Sequence, residues 1–411
     1  MLQGNRAALA AVGVALLSIS SLPSQDIQGA LDRGARWITQ HQNPDGGYGP
    51  YGEGPEVRVK NTSDVGITAF VVYALARHPK RYSPVDGPFL SKAIDFLLAH
   101  QQEDGGIYDP ADPALQNYRT SVAILALTAL DRVKYAAAIR RAQGFVKDQQ
   151  LTEADGYDEK THLGFGSIGY GSGLRGDLSN TQLAGQALAE SGVSGSDEVW
   201  RRMVIYVARC QNAESVDPLL QGLGIGTTRD GGFRYAPNET RGPTETLDDG
   251  SRVFSSYGSM TYAALKTLLY AQVDRKDPRV AQAFDWISKS FTVTENPGMA
   301  SKVNPKAGLQ GLYYYYHTMA KTLSLYGEPM IRDAKGVEHN WAKELAAHLV
   351  SLQKKDGAWQ NTSDRWWENI EALDTAYAMV ALADCQEALA RPAPASTPPA
   401  PAASPKASGS K

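Results

Sequence analysis

Cysteine is nearly missing: the 411 residues hold only Cys210 and Cys385, which excludes a disulfide framework and a four-cysteine zinc site. Charge of one sign is missing as well. Lys and Arg total 41 against 44 Asp and Glu, and without a dense basic run the chain lacks the electrostatic footprint of a nucleic-acid partner. Long apolar runs are scarce, the longest being Ala7 to Ile19, between Arg6 and Ser20-Ser21-Leu22-Pro23-Ser24. That order of a charged residue, an apolar stretch and a small-residue zone predicts a cleaved signal peptide over residues 1–24, an uncleaved anchor being the alternative. The mature protein is then expected to be periplasmic or extracellular, with no transmembrane segment. From Arg391 onward the chain is almost all Pro, Ala and Ser with a few Lys, too poor in apolar side chains to offset the entropy of ordering. A disordered tail at 391–411 leaves 25–390 as the folded unit.

What the chain does have is a repeat. An amphipathic stretch ends on Gln and runs into a polar turn with Asp-Gly: Gln42-Asn43-Pro44-Asp45-Gly46-Gly47-Tyr48, Gln101-Gln102-Glu103-Asp104-Gly105-Gly106 and Gln353-Lys354-Lys355-Asp356-Gly357-Ala358-Trp359. The stretches Phe145–Tyr157 and Tyr206–Phe233 read as copies lengthened by insertions. Gly suits a left-handed helix cap and Asp the turn, so each copy predicts the end of a helix. The helices so ended, Ile27–Gln42, Leu90–Gln102, Tyr135–Gln149, Asp197–Gln211, Arg279–Phe291 and Trp341–Gln353, carry charge on one face. Between them lie less charged helices at Ser63–Arg77, Tyr118–Leu130, Ser179–Ser191, Ser256–Tyr270, Tyr313–Leu325 and Asp374–Glu387. Six amphipathic helices alternating with six apolar ones predict an all-α fold, an (α/α)6 toroid with an inner ring inside an outer one. The outer-to-inner connections, such as Leu151–Leu178 and Asn212–Ser255, are long. Function is expected at that end, where the inner-helix N-termini converge and favour negative charge.

The Gln-x-x-Asp-Gly-Gly-aromatic turns resemble the QW motifs of squalene-hopene and oxidosqualene cyclases, which also recur in protein prenyltransferase β subunits. The likeness spans nearly all of Gln25 to Ala388. It implies an α/α barrel with a central cavity for a polyisoprenoid. The catalytic signatures of these families do not accompany it. No Asp-x-Asp-Asp supplies the class II acid, the nearest cluster, Glu245-Thr246-Leu247-Asp248-Asp249-Gly250, having the wrong spacing. No Asp-Asp-x-x-Asp supplies a class I magnesium site, and the helix starts Ser255-Ser256-Tyr257-Gly258 and Asp374-Thr375-Ala376-Tyr377 lack the thiolate and imidazole of the prenyltransferase zinc site. The Gly-Cys-Gly-Glu-Gln of thioester proteins is missing too. No squalene-cyclising activity, cofactor or metal is therefore expected.

The polar residues at the inner-helix starts are the candidates that remain. His317, Asp374, Asp64 and Tyr257 are the candidate catalytic set, expected to face one cavity at the long-loop end. Ser, Asp and Asn there equally suit helix capping. Tyr314, Tyr316, Trp366, Trp367, Arg119 and Asn180 are candidate ligand-binding residues, since aromatic walls suit an isoprenoid chain, a carbocation or a sugar face. Glycines at 164, 166, 169, 171 and 173 lack the Lys of a phosphate loop and read as a flexible lid or loop. The leading expectation is a toroid that binds, and in one version transforms, an apolar or isoprenoid small molecule. The alternatives are an envelope protein that binds glycan or peptide, and a polysaccharide lyase or glycosidase drawing on Asp64, Asp374 and Glu368.

Overall fold

A computed structural model describes residues 24–50, 62–171 and 175–391; the expected signal peptide and tail lie almost wholly outside these residues. Six outer helices, α1 (Ser24–Gln40), α3 (Pro88–Ala99), α5 (Ala136–Asp148), α7 (Glu198–Arg209), α10 (Pro278–Lys289) and α12 (Trp341–Leu352), alternate with six inner ones. The inner set is α2 (Val65–Arg77), α4 (Gln116–Asp131), α6 (Leu178–Glu190), α9 (Gly258–Tyr270), α11 (Leu312–Tyr326) and α13 (Glu371–Ala390). A one-turn α8 (Pro218–Gly222) lies in the connection before α9. Strands are limited, among the described residues, to two antiparallel hairpins, Thr244–Thr246 with Arg252–Phe254 and Met330–Arg332 with Glu338–Asn340.

The two kinds of helix differ as their sequences require. Every residue of α2 from Val65 to Ala76 is buried, whereas α3 buries Leu90, Ala93, Ile94 and Leu97, a single stripe with the spacing of one helix face. Each inner helix packs on the next in chain order, and α13 closes the ring against α2. None of the described helices is long and apolar enough to cross a membrane.

The repeated glutamine holds the outer ring together. Gln42 Nε2 donates to the carbonyl of Gly46 in its own turn (2.7 Å) and to that of Phe89 at the start of α3 (2.6 Å). Gln101, Gln150 and Gln211 do the same to Gly105 and Ala138, Gly166 and Val199, and Gly231 and Arg279. Gln353 bonds Gly357 and Ala30, tying α12 back to α1. Each amide thus satisfies a turn carbonyl and a carbonyl of the next outer helix, which neither helix can satisfy alone. A threonine one turn into the inner helix completes the joint: Thr68, Thr120, Thr181, Thr261 and Thr375 accept from the backbone N–H of Tyr48, Ile107, Ile168, Phe233 and Trp359. The third turn is built at Gly166, not at Asp155-Gly156. The glycine-rich stretch expected to be a lid is therefore in part the joint itself, with Phe165 and Ile168 fully buried. Its residues 172–174 lie outside the described set.

Gln353 also accepts from Arg33 Nε (2.9 Å) and Nη2 (2.6 Å). Gln353→Ala should therefore cost about 2 kcal/mol, since it strands two carbonyls and the guanidinium at the seam that closes the ring. Urea unfolding of the two proteins measures this, and an unchanged midpoint would mean that the seam does not depend on this side chain.

Between the inner helices lie charged and polar side chains as well as apolar ones. Lys266 on α9 is fully buried and donates to Gln186 Oε1 on α6 (2.6 Å). Below it Lys321 Nζ meets Glu190 Oε1 at 2.7 Å, with the Tyr270 hydroxyl donating to the same oxygen at 2.6 Å. Burial pushes the Glu190 carboxyl up, but Lys321 and Tyr270 outweigh it and hold it at about 2. Burial, with Lys321 adding to it, brings the Lys266 amine down to about 7.

Candidate functional site

The N-terminal ends of all six inner helices surround a cavity of about 240 Å3. Ile67 and Phe70 of α2, Tyr118 of α4, Met260 of α9, Tyr314 of α11 and Leu373 and Tyr377 of α13 form its wall. Loops supply Tyr170, Tyr235, Arg241, Trp366, Trp367 and Glu368. The lining is thus aromatic with a few polar groups, the usual character of a small-molecule site. Three of the tyrosine hydroxyls are engaged. That of Tyr314 lies 3.0 Å from Ser179 Oγ and accepts from Gln182 Nε2 at 2.9 Å, and those of Tyr170 and Tyr235 are 3.1 Å apart. Arg241 lies over the Tyr235 ring, 4.2 Å from its centre.

Asp64 and Arg119 enter the lining as a pair. Asp64 Oδ1 caps α2 by accepting from the Ile67 N–H (2.9 Å), while its Oδ2 accepts from Arg119 Nε and Nη2 at 3.0 and 2.7 Å. Arg119 also reaches Asp112 Oδ2 at 2.6 Å, so its charge is neutralised twice over and its guanidinium is locked.

The mouth is formed by a strained segment. Trp366 and Trp367 have φ of 59° and 67°, left-handed values that cost a non-glycine residue about 1–3 kcal/mol each. Both are 44% exposed. Trp366 lies over Gly311, where a Cβ would stand 2.8 Å from the indole. What holds the segment is Glu368 behind it, which accepts from the Tyr314 N–H (2.8 Å) at the start of α11 and from Asn361 Nδ2 (2.5 Å). Asn361 in turn donates its backbone N–H to Asp374 Oδ2 at 2.7 Å, bridging the two carboxyls. Burial raises Glu368 from the ordinary 4.5 to about 7, against the pull of the Tyr314 and Asn361 donors. Burial, with Glu368 beside it, holds Asp374 well above the usual carboxylate range.

Of the four residues expected to share one cavity, the structure brings Asp64 and Tyr257 to it and leaves His317 and Asp374 outside its lining. The reason is helix phase. α11 begins at Leu312, so His317 lies more than a turn inside, beneath the floor, stacked on Tyr377 (centroids 5.4 Å apart) and edge-on to Phe70 (5.8 Å). Burial drives its imidazole pKa well down. α13 begins at Glu371, three residues earlier than expected, which puts Asp374 on the side of Asn361. Among the ligand-binding candidates, Tyr314, Trp366, Trp367 and Arg119 line the cavity. Tyr316 instead points outward, its hydroxyl donating to the Val293 carbonyl (2.9 Å) and lying 3.0 Å from His348 Nε2. Asn180 is buried in a cap cluster with Asp177 (2.8 Å) and Asn117 (3.1 Å). The loop residues Tyr170, Tyr235 and Arg241 were not legible as site residues, since no local pattern marks them. Tyr118 and Tyr377 carried one signal, an aromatic at the start of an apolar helix. Among the described residues no cluster of three or more His, Cys, Asp or Glu could hold a metal ion.

A sequence profile of the squalene-hopene cyclase C-terminal domain matches residues 9–224, more than half of the chain. No curated protein matches it in sequence. In structure it is similar to the type II terpene cyclase MstE from Scytonema, at 13% identity and a TM-score of 0.54 over 89% of this chain and 100% of that one. MstE has also been captured as a D109N variant in complex with its substrate geranylgeranyl dihydroxybenzoate, with 13% identity, a TM-score of 0.52 and coverage of 89% and 98%. The GH76A alpha-1,6-mannanase from Salegentibacter is similar to the same degree, with a TM-score of 0.54 at 9% identity over 88% of this chain and 99% of its own. The α/α toroid is therefore common to cyclase and glycosidase neighbours, and the fold alone does not carry an activity.

Proposed function

The chain belongs to the squalene-hopene cyclase C-terminal domain family, and from that membership and its cavity we propose that it binds an isoprenoid, or a similarly branched apolar small molecule, at the aromatic end of the toroid. The observation that carries this reading is the lining itself, with six tyrosines, Phe70, Trp366 and Trp367 around a space whose Asp64, Arg119 and Arg241 are already ion-paired. Aromatic faces offer dispersion contact to a methyl-branched chain and electrostatic contact to an electron-poor one. A volume of about 240 Å3 is below the usual 300–1,000 Å3 of enclosed drug-sized ligands, so a chain as long as squalene would protrude past the two tryptophans. The arginine-led N-terminal apolar run extends the proposal to an exported protein, acting outside the cytoplasm.

Trp366 and Trp367 make the proposal measurable, because both are half-exposed at the mouth. Titration with geranylgeraniol should change their fluorescence saturably with a Kd of about 1–10 μM, and Trp366→Phe with Trp367→Phe should remove most of the signal. Saturation by a mannooligosaccharide and not by geranylgeraniol would overturn the isoprenoid reading and favour the glycan one.

A further inference from the structure

Two ion-paired arginines line the cavity, and they are not equivalent. Arg119 lies between two carboxylates, Asp64 at 2.7 Å and Asp112 at 2.6 Å. At Arg241 the ratio is reversed. Its Nη1 meets Glu239 Oε1 at 2.8 Å, but Oε2 of the same carboxylate is taken by Arg175, so one anion serves two guanidiniums. Arg241 Nε is buried with no hydrogen-bond partner. A guanidinium N–H shut off from water without an acceptor is costly, since nothing in the protein replaces the lost solvation. The side chain as a whole is nevertheless reachable, being 30% exposed. Backbone contacts fix its position: the Thr240 hydroxyl donates to the Ser255 carbonyl (2.7 Å) and the Ser255 N–H to the Pro243 carbonyl (3.1 Å), clamping the Arg241 loop against the start of α9. Tyr257, at that start, is 2% exposed, lines the same cavity and has a hydroxyl that bonds no other residue among the described contacts. The other carboxyl acting on Arg241, Asp177, is buried, with its oxygens taken by the Asn180 N–H (2.9 Å) and Nδ2 (2.8 Å). Unused donors thus gather at the α9 side, while Tyr314 with Ser179 and Tyr170 with Tyr235 satisfy one another.

Resting on the isoprenoid reading above, we propose that the ligand's apolar chain ends in an oxyanion, a carboxylate or a phosphate monoester, and that Arg241 and Tyr257 bind this end. The aromatic remainder of the wall holds the chain. A guanidinium presents its N–H groups as a planar fork that matches such an oxyanion, and the bond strengthens where water is excluded. A plain hydrocarbon or a neutral alcohol leaves the second guanidinium without a full counter-charge. Arg119 cannot play this part, because Asp64 and Asp112 already neutralise it.

Geranylgeranoic acid, geranylgeranyl phosphate and geranylgeraniol share one chain and differ only at the end. Tryptophan-fluorescence titrations of the full chain with all three, at about pH 8, therefore isolate the end group. At least one of the two anions should bind about 30-fold more tightly than the alcohol, and the tighter of the two identifies the oxyanion. Arg241→Met should bring that advantage down to about threefold or less, and Tyr257→Phe should remove a smaller part of it. Glu239→Gln, which gives up the competing carboxylate, should enlarge it. An anion advantage that is missing in the natural protein, or that survives Arg241→Met, overturns the proposal. Should Arg241→Met fail to fold, an unchanged advantage in Glu239→Gln overturns it instead. Equal binding of all three sinks the oxyanion site and leaves the isoprenoid reading standing, whereas binding of none overturns both.

Discussion

Gly166→Ala should destabilise the protein by about 4 kcal/mol, while Gly144→Ala should stabilise it by about 0.5–1 kcal/mol. Gly166 has φ +83°, and a Cβ there would collide with the backbone carbonyl of Arg202 on α7. The cost joins the strain of a left-handed alanine to the displacement of an outer helix, because backbone cannot rotate aside as a side chain can. Gly144 stands inside α5 with nothing within 4 Å of the position a methyl group would take, so alanine there only removes freedom from the unfolded chain. Paired urea titrations read both effects. Equal midpoints for the two variants would show that the glycine turn is not what positions the outer ring. The same close approach recurs at Gly46, where the Lys92 carbonyl stands 2.8 Å from a Cβ, and at Gly357, where that of Arg33 stands 2.6 Å away. The repeated glycine is therefore a property of the joint and not of one loop.

Lys266→Met should raise stability at neutral pH by about 2 kcal/mol and abolish most of its dependence on pH in the alkaline range. The amine titrates at about 7 in the folded protein against 10.5 when solvated, so between these values the unfolded chain binds more protons than the folded one. Stability must then rise with pH across that window, be fully present above it, and be lost as pH falls through 7. Charging the buried amine costs about 5 kcal/mol over the window, of which methionine recovers part and Gln186 Oε1, left without its donor, gives part back. Chemical unfolding at a series of pH values provides the check. A natural protein with no alkaline gain in stability would mean that Lys266 keeps its charge through a contact other than Gln186.

Much of the architecture was legible because its signals are local. The Asp-Gly turns after Gln42, Gln101 and Gln353 end outer helices within three residues of where the sequence places them, since left-handed glycine and the Asx turn are set within a few residues. The third joint differs, because Asp155-Gly156 offers the same turn chemistry as the true one and Gly156 is itself left-handed at φ +83°. Only packing against Arg202 selects Gly166. Lys266 was invisible for a different reason: one lysine in an apolar helix reads as a solvent-facing position, and nothing in its neighbours reveals that it points at Gln186 across the lumen.

By itself the sequence determined the α/α alternation, the repeated helix ends that run from Gln into an Asp-Gly turn, and an aromatic set of cavity residues at the inner-helix starts. Tertiary structure decided which of these residues meet. Each residue turns an α-helix by about 100°, so an error of one to three positions in where α11 or α13 begins redirects a side chain from the cavity to the wall. That is how His317 came to lie beneath the floor and Asp374 behind Glu368, while Tyr314 kept its place. The loop residues Tyr170, Tyr235 and Arg241 depend on contacts made far along the chain. Periodicity is written in neighbouring residues, whereas convergence on one point is set by how six helices rotate and pack against one another.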